Sequence, residues 1–373
     1  MSSTTSEHEP RFNAVFSNPR TASHLLFKLL NLADQSSVRK HPDDGYIFMR
    51  PTMMRLKRGL GGKSVSEWTV HDKKSVQSMF QKSYDELERW RQDAQAMGKG
   101  AYLKFHCLEL AEPVSETRWL HGVDAARGMQ SWTVSPTGSA SARGTRLRER
   151  KSEGNETCLP DATLKSWRPT FLIRHPALVL PSLLRADLEF GTDALFSPEN
   201  EEDASGYRRA WEAAKEWQVT FHWQRQLLEW FLVNLTAEEM YTDEDDVFFP
   251  IVLDADDLQS PSAPELLTRY TRAVGLDPES VKFEWKTAPK EEVDEMNIYE
   301  KRLLDTISTS TGIVPGKTAQ GLVLENETTK WRAEFGERLG TKLGKWVKAA
   351  MSDYERMHSM RLTVDDDQVV RAP

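Results

Sequence analysis

One short stretch constrains this chain more than any other. The run Arg11-Phe12-Asn13-Ala14-Val15-Phe16 reads as a buried strand. It is followed by the loop Asn18-Pro19-Arg20-Thr21-Ala22-Ser23-His24 and by an apolar helix from Leu25, with the sequence LLFKLLNL. A strand–loop–helix unit aims backbone N–H groups and the positive end of a helix at one point, where an anion is favoured. Arg20 adds a charge-assisted donor there, and Thr21 and Ser23 add hydroxyls. The same residues also read as a plain helix start, with Ser23 as its cap and Arg20 in water.

Further strands of the same kind follow at intervals. Ala101-Tyr102-Leu103-Lys104-Phe105-His106, Pro169-Thr170-Phe171-Leu172-Ile173-Arg174 and the stretch 248–253 each form a short apolar run. Between them lie helical patterns over 72–97, 207–235 and 263–274, and a closing helix is expected at 329–358. Strands alternating with helices predict a three-layer αβα domain around a central parallel sheet, with a P-loop-like first loop. Ligands of such sheets lie beyond the carboxyl ends of the strands, which puts the loops after Phe16, His106 and Arg174 at one rim. The expected domain covers 11–360. It is flanked by a disordered start at 1–10 and a tail at 361–373, and it is interrupted by a mobile, Gly/Ser/Arg-rich insertion at 122–166.

The rim residues suggest roles. Arg174 ends a strand, and Ser182 falls about two turns into the helix that Pro176 opens, so the pair suits a second phosphate. His106 suits a base toward a hydroxyl, and Lys104 suits charge on a leaving phosphate. A structural His and a structural Arg remain the plainer readings of these residues. His24 and His175 are lesser candidates. Two stretches ending in GKS (Gly59 to Ser64) and GKT (Gly312 to Thr318) imitate a Walker loop. Lys57 and Thr311 stand where its first Gly belongs, so ordinary turns are expected.

Composition closes off several classes. A net charge of −8 argues against a broad nucleic-acid surface. No run reaches the ~20 apolar residues of a membrane span, and the first residues, MSSTTSEHEP, do not read as an export signal. With Cys107 and Cys158 its only cysteines, the chain reads as cytoplasmic and free of structural disulfides. No His/Cys spacing suggests zinc, so no metal is expected. Most of the twelve Trp are expected in the core.

Taken together, Pro19-Arg20-Thr21-Ala22-Ser23-His24-Leu25, Arg174 with Ser182, Lys104-Phe105-His106 and Asp254-Ala255-Asp256-Asp257-Leu258 resemble the sulfotransferases that use 3′-phosphoadenosine 5′-phosphosulfate (PAPS), in a divergent form similar to fungal members. The resemblance spans about 12–285. It implies that Arg20, Thr21, Ala22, Ser23 and His24 face the 5′-phosphosulfate and that Arg174 and Ser182 face the 3′-phosphate. It also implies that His106 and Lys104 act on the acceptor and on the leaving group. The acceptor is then a hydroxyl or amine of a small, largely apolar molecule. Ala22 replaces the loop Gly, and His24 replaces a hydroxyl residue. The R-K-G segment is missing, with Lys317, or Lys330 and Arg332, as substitutes. The alternative is a sulfotransferase fold recruited to specialised-metabolite biosynthesis for another transfer or cyclisation, without PAPS.

Overall fold

The computed structural model describes residues 12–42, 44–135, 150–189, 211–212, 214–242, 244, 246–296 and 298–364. Five strands form one sheet: β1 (Phe12–Ser17), β2 (Val38–Lys40), β3 (Gly100–His106), β4 (Arg168–Ile173) and β5 (Ile251–Asp254). Their order is β2-β3-β1-β4-β5, and every pairing is parallel. Such a sheet is covered on both faces, which is why the strands read as nearly continuous apolar runs. Helices α1 (Ser23–Leu30), α2 (Met49–Lys57), α3 (Val70–Ala96), α4 (Pro113–His121), α5 (Pro176–Glu189), α6 (His222–Asn234), α7 (Ala263–Val274), α8 (Ile298–Thr309) and α9 (Leu324–His358, two helical segments that meet at a break at Gly336, φ 81° and ψ 160°) surround it.

Strand alternation sorts the two layers. Phe16, Phe105 and Phe171 point one way, and Phe16 lies 5.6 Å from Phe231 of α6 between ring centroids. Asn13, Tyr102 and Thr170 point the other way. Asn13 reaches Val274 O at the end of α7, and Tyr270 of α7 hydrogen-bonds both Tyr102 and Thr170. On that second face also stand Ser17, Lys104 and His106, whose strands finish level because Ser17 pairs with His106 and with Leu172. The chain passes from β1 to the β2–β3 side and then across to β4–β5, so the carboxyl end of β1 is the point where its direction reverses.

Several expectations shift. The last strand starts at Ile251, after Pro250, which has no N–H for a ladder. The helix expected over 207–235 is broken. Val219 N still bonds Lys215 O, the backbone then leaves helical geometry, and Thr220 Oγ1 accepts from His222 N where α6 begins. Its residues 207–210 and 213 lie outside the described residues, as do the expected disordered start and residues 136–149 of the insertion.

The flanks of that insertion are packed. Val134, Cys158 and Leu159 are buried, Asn155 binds Asp161 and Leu159 O, and Val134 N bonds Cys158 O. Packing also continues into the expected tail, where Leu362 is buried and its N–H bonds Val252 O on the sheet's edge. No helix among the described residues is long and apolar enough to cross a membrane.

Candidate active site

A cavity of about 1080 Å³ opens at the carboxyl ends of β1, β3 and β4. On its floor the loop after β1 turns twice through left-handed backbone, at Arg20 (φ 70°) and Ala22 (φ 62°). Ala22 precedes α1 with no side chain capping the helix, so the first N–H groups of α1 have no side-chain acceptor. Ser23 is buried at this end and lines the cavity. Thr21 departs from expectation. It is fully buried, and its hydroxyl donates to Asn18 O at 2.8 Å, so it closes the loop instead of facing the cavity.

Three cations gather on the β4 side. Arg20 Nε donates to Ser182 Oγ at 2.9 Å, and its Nη1 reaches Leu303 O. Arg174 bonds Arg20 O at 3.2 Å and Lys317 O at 2.8 Å, and Lys317 Nζ bonds Thr306 Oγ1 at 2.9 Å. All these acceptors are neutral oxygens, and no carboxylate among the described residues pairs with any of the three. Burial and the neighbouring charges of Arg302 and Arg174 lower the Arg20 pKa, and burial with Arg174 and Arg20 lowers that of Lys317. Mutual repulsion of this kind is relieved by an anion.

On the β3 side His106 is 6% exposed, and its Nδ1 lies 3.0 Å from Ser17 Oγ. Burial, with Lys104 and His24 nearby, holds its pKa well below the usual value, so the ring is neutral and has the protonation state a base needs. Lys104 is 1% exposed and sits 4.4 Å from the centroid of the Tyr46 ring, 3.2 Å from His24 Nε2. Burial brings it down to about 8 against the pull of Asp44 and Glu109. His24 also bonds Tyr46 Oη at 2.9 Å, and burial beside Lys104 takes it to about 4. Burial alone would raise Asp44, but His24, Lys104 and Lys40 together hold it below the usual carboxylate range. Gly45 makes this corner feasible: its φ is +101°, and a Cβ there would stand 2.4 Å from Lys104 O.

Two curated proteins align along nearly the whole chain. The sulfotransferase ppzF of Metarhizium majus (strain ARSEF 297) is 31% identical over 362 residues, covering 96% of this chain and 98% of its own length. The sulfotransferase ppzF of Metarhizium rileyi (strain RCEF 4871) is 30% identical over 352 residues, covering 94% and 96%. The chain belongs to this divergent fungal sulfotransferase family. It is a sulfotransferase-like transferase. No family model matches it, and no solved structure does.

Within this sulfotransferase-like chain several motifs take other work. In the GKS turn, Gly62 N donates to Glu116 and Ser64 caps the turn Val65–Glu67. The GKT segment follows no strand, but it carries Lys317 to the cavity. Lys330 and Arg332 are exposed and pair with Glu327 and Glu337; neither cation lines the cavity, although Glu327 and Trp331 do. His175 accepts from Ala177 N at the start of α5. Asp254 accepts from Tyr354 Oη, and burial raises it to about 6. Asp256 accepts from Ala319 N at 2.7 Å and so ties down the segment bearing Lys317. Tyr46, Asp44, Ser17 and Glu109 were not legible as site residues. For Glu109 the available signal was a lone acid inside the apolar run Cys107-Leu108-Glu109-Leu110-Ala111.

Proposed function

We propose that this sulfotransferase transfers a sulfuryl group from PAPS to a hydroxyl or amine of a small, largely apolar acceptor. The observation that carries the reading is that Arg20, Arg174 and Lys317, three cations bonded only to neutral oxygens, line one cavity together with Ser182. Those residues fit a ligand with two separated anionic groups. Arg20 and the uncapped N–H groups of α1 hold the 5′-phosphosulfate in the P-loop manner, with Ala22, Ser23 and His24 beside it. Arg174, Ser182 and Lys317 hold the 3′-phosphate. PAPS, when bound, supplies an activated sulfuryl group whose sulfur–oxygen bond to the 5′-phosphate breaks as the acceptor atom bonds to sulfur.

His106 takes the acceptor's proton on Nε2, its Nδ1 being directed at Ser17. Lys104, still largely protonated at pH 7, offsets charge on the departing oxygen from its place beside His24. The apolar wall from Met49, Met53, Leu56 and Trp211 suits the acceptor, and the enzyme acts in the cytoplasm.

The test is thermal shift and calorimetry with adenosine 3′,5′-bisphosphate. Binding is expected, and Arg20→Ala and Arg174→Ala each weaken it by about 1–3 kcal/mol, as for lost charged hydrogen bonds. His106→Ala removes transfer from radiolabelled PAPS to a panel of apolar phenols and amines but spares this binding. A second reading, a pocket turned to another transfer without PAPS, draws on His24, whose ring is committed to Tyr46 and Lys104. No stabilisation at millimolar bisphosphate decides for it.

A further inference from the structure

Glu109 lies three residues beyond His106, in the helical turn Cys107–Leu110, and lines the same cavity. It is 5% exposed and makes no hydrogen bond or ion pair with any described residue. A buried carboxyl without a partner is costly, and here the space it faces is the cavity. Burial pushes its pKa up to about 8, with Lys104 pulling the other way, so at pH 7 the group is mostly a neutral acid. In that form it offers one donor and an acceptor.

Topology says which ligand it meets. β3 and β4 flank β1 on opposite sides, so Glu109 and His106 stand across the cavity from Arg174 and Ser182. The turn packs on α2, and from these two elements the cavity is lined by Met49, Arg50, Thr52, Met53, Leu108 and Glu109, largely apolar apart from Glu109 and Arg50, which pairs with Glu86.

Resting on the reading of this cavity as a sulfotransferase site, we infer that Glu109 binds the acceptor as a neutral acid, donating its O–H to an acceptor oxygen and accepting an N–H or O–H in return. An uncharged, amide-like edge satisfies both. The charges around it agree. The groups acting on Glu109 are Lys104 on β3, Tyr46 before α2 and Cys107 on its own turn. The helices packed on this turn, α2 and α6, keep their cations occupied or distant. Arg50 pairs with Glu86, Arg55 with Glu116, His222 with Glu156 and Arg225 with Asp353, and Lys57 is exposed. On α6 the acid Glu229 pairs with Arg356. The Lys104 ammonium makes the same corner unwelcoming to a cationic ligand.

The probes are benzamide and benzamidinium, equal in shape and different in charge. They are titrated by calorimetry into the full chain, its Glu109→Gln variant and its Glu109→Leu variant, with adenosine 3′,5′-bisphosphate present. Glutamine keeps a donor and an acceptor and leucine keeps neither. Benzamide is therefore expected to bind wild type and E109Q alike and E109L about tenfold more weakly. In wild type its affinity falls as pH rises through about 8, where the acid loses its proton, and in E109Q it stays level.

Tighter binding of benzamidinium, lost in E109Q, overturns the inference in favour of a carboxylate that selects cations. Benzamide binding equally to all three proteins, or failing to bind wild type, overturns it as well. Bisphosphate affinity measured in the same samples stays unchanged in both variants, which confirms their fold. Its absence in wild type counts against the PAPS reading alone, because the benzamide comparison is then read without it.

Discussion

Ala22 holds a left-handed conformation (φ 62°, ψ 28°) that costs a residue with a Cβ about 1–2 kcal/mol. The loop therefore makes the turn a glycine would make, and the backbone direction survives the substitution. Ala22→Gly is expected to raise stability by up to about 1 kcal/mol, the relieved strain being partly offset by the freer unfolded chain, as read by urea unfolding. Lys104 carries a second prediction. Its folded pKa of about 8 lies below the 10.5 of the exposed group, so in that window the unfolded chain binds the extra proton and stability rises with pH. Against Lys104→Met, the wild type should gain roughly 3 kcal/mol between pH 7 and 10.5 in unfolding measurements. Neither property was visible in the sequence, since an Ala in a loop and a Lys in a strand carry no mark of their final backbone angles or burial.

Among the elements, β1, β3 and β4 were legible because each is an apolar run buried on both faces. β2 was not: it has three residues, and only Val38 is buried. Helix α8 was missed for a related reason. Its residues 301–309 are exposed or only partly buried, so no strong periodic stripe marks it, yet it supplies Leu303 O to Arg20 and Thr306 to Lys317. Of the three cations proposed in place of the missing R-K-G, the segment after α8 brings Lys317 to the cavity. Lys317→Ala should weaken adenosine 3′,5′-bisphosphate binding by about 1–3 kcal/mol. Lys330→Ala and Arg332→Ala should leave it unchanged, both side chains being exposed beside their own acidic partners on α9. Equal losses in all three would return the choice to α9.

Over the whole molecule, the edge strand β5 is finished by the segment that follows α9. Leu362 is buried and donates its N–H to Val252 O, Arg361 pairs with Asp257, and Asp254 holds Tyr354 of α9. A chain ending at Met360 should lose about 2–4 kcal/mol of stability, the sum of a buried leucine and a ladder bond, in thermal unfolding. The sequence by itself determined the α/β class, the alternation of strands and helices and the rim where ligands gather. Those features rest on local periodicity, which neighbours along the chain encode. Only the tertiary structure decided which polar residues share that rim: Arg20 with Ser182, 162 positions apart, Lys104 with His24, 80 apart, Lys317 in preference to Lys330 and Arg332, and Glu109 alone against the cavity. The loop at 18–24 shows the division. Its turn from a strand into a helix and its own Arg20 are written in the local sequence, but Arg174 and Lys317 join it only in the folded molecule.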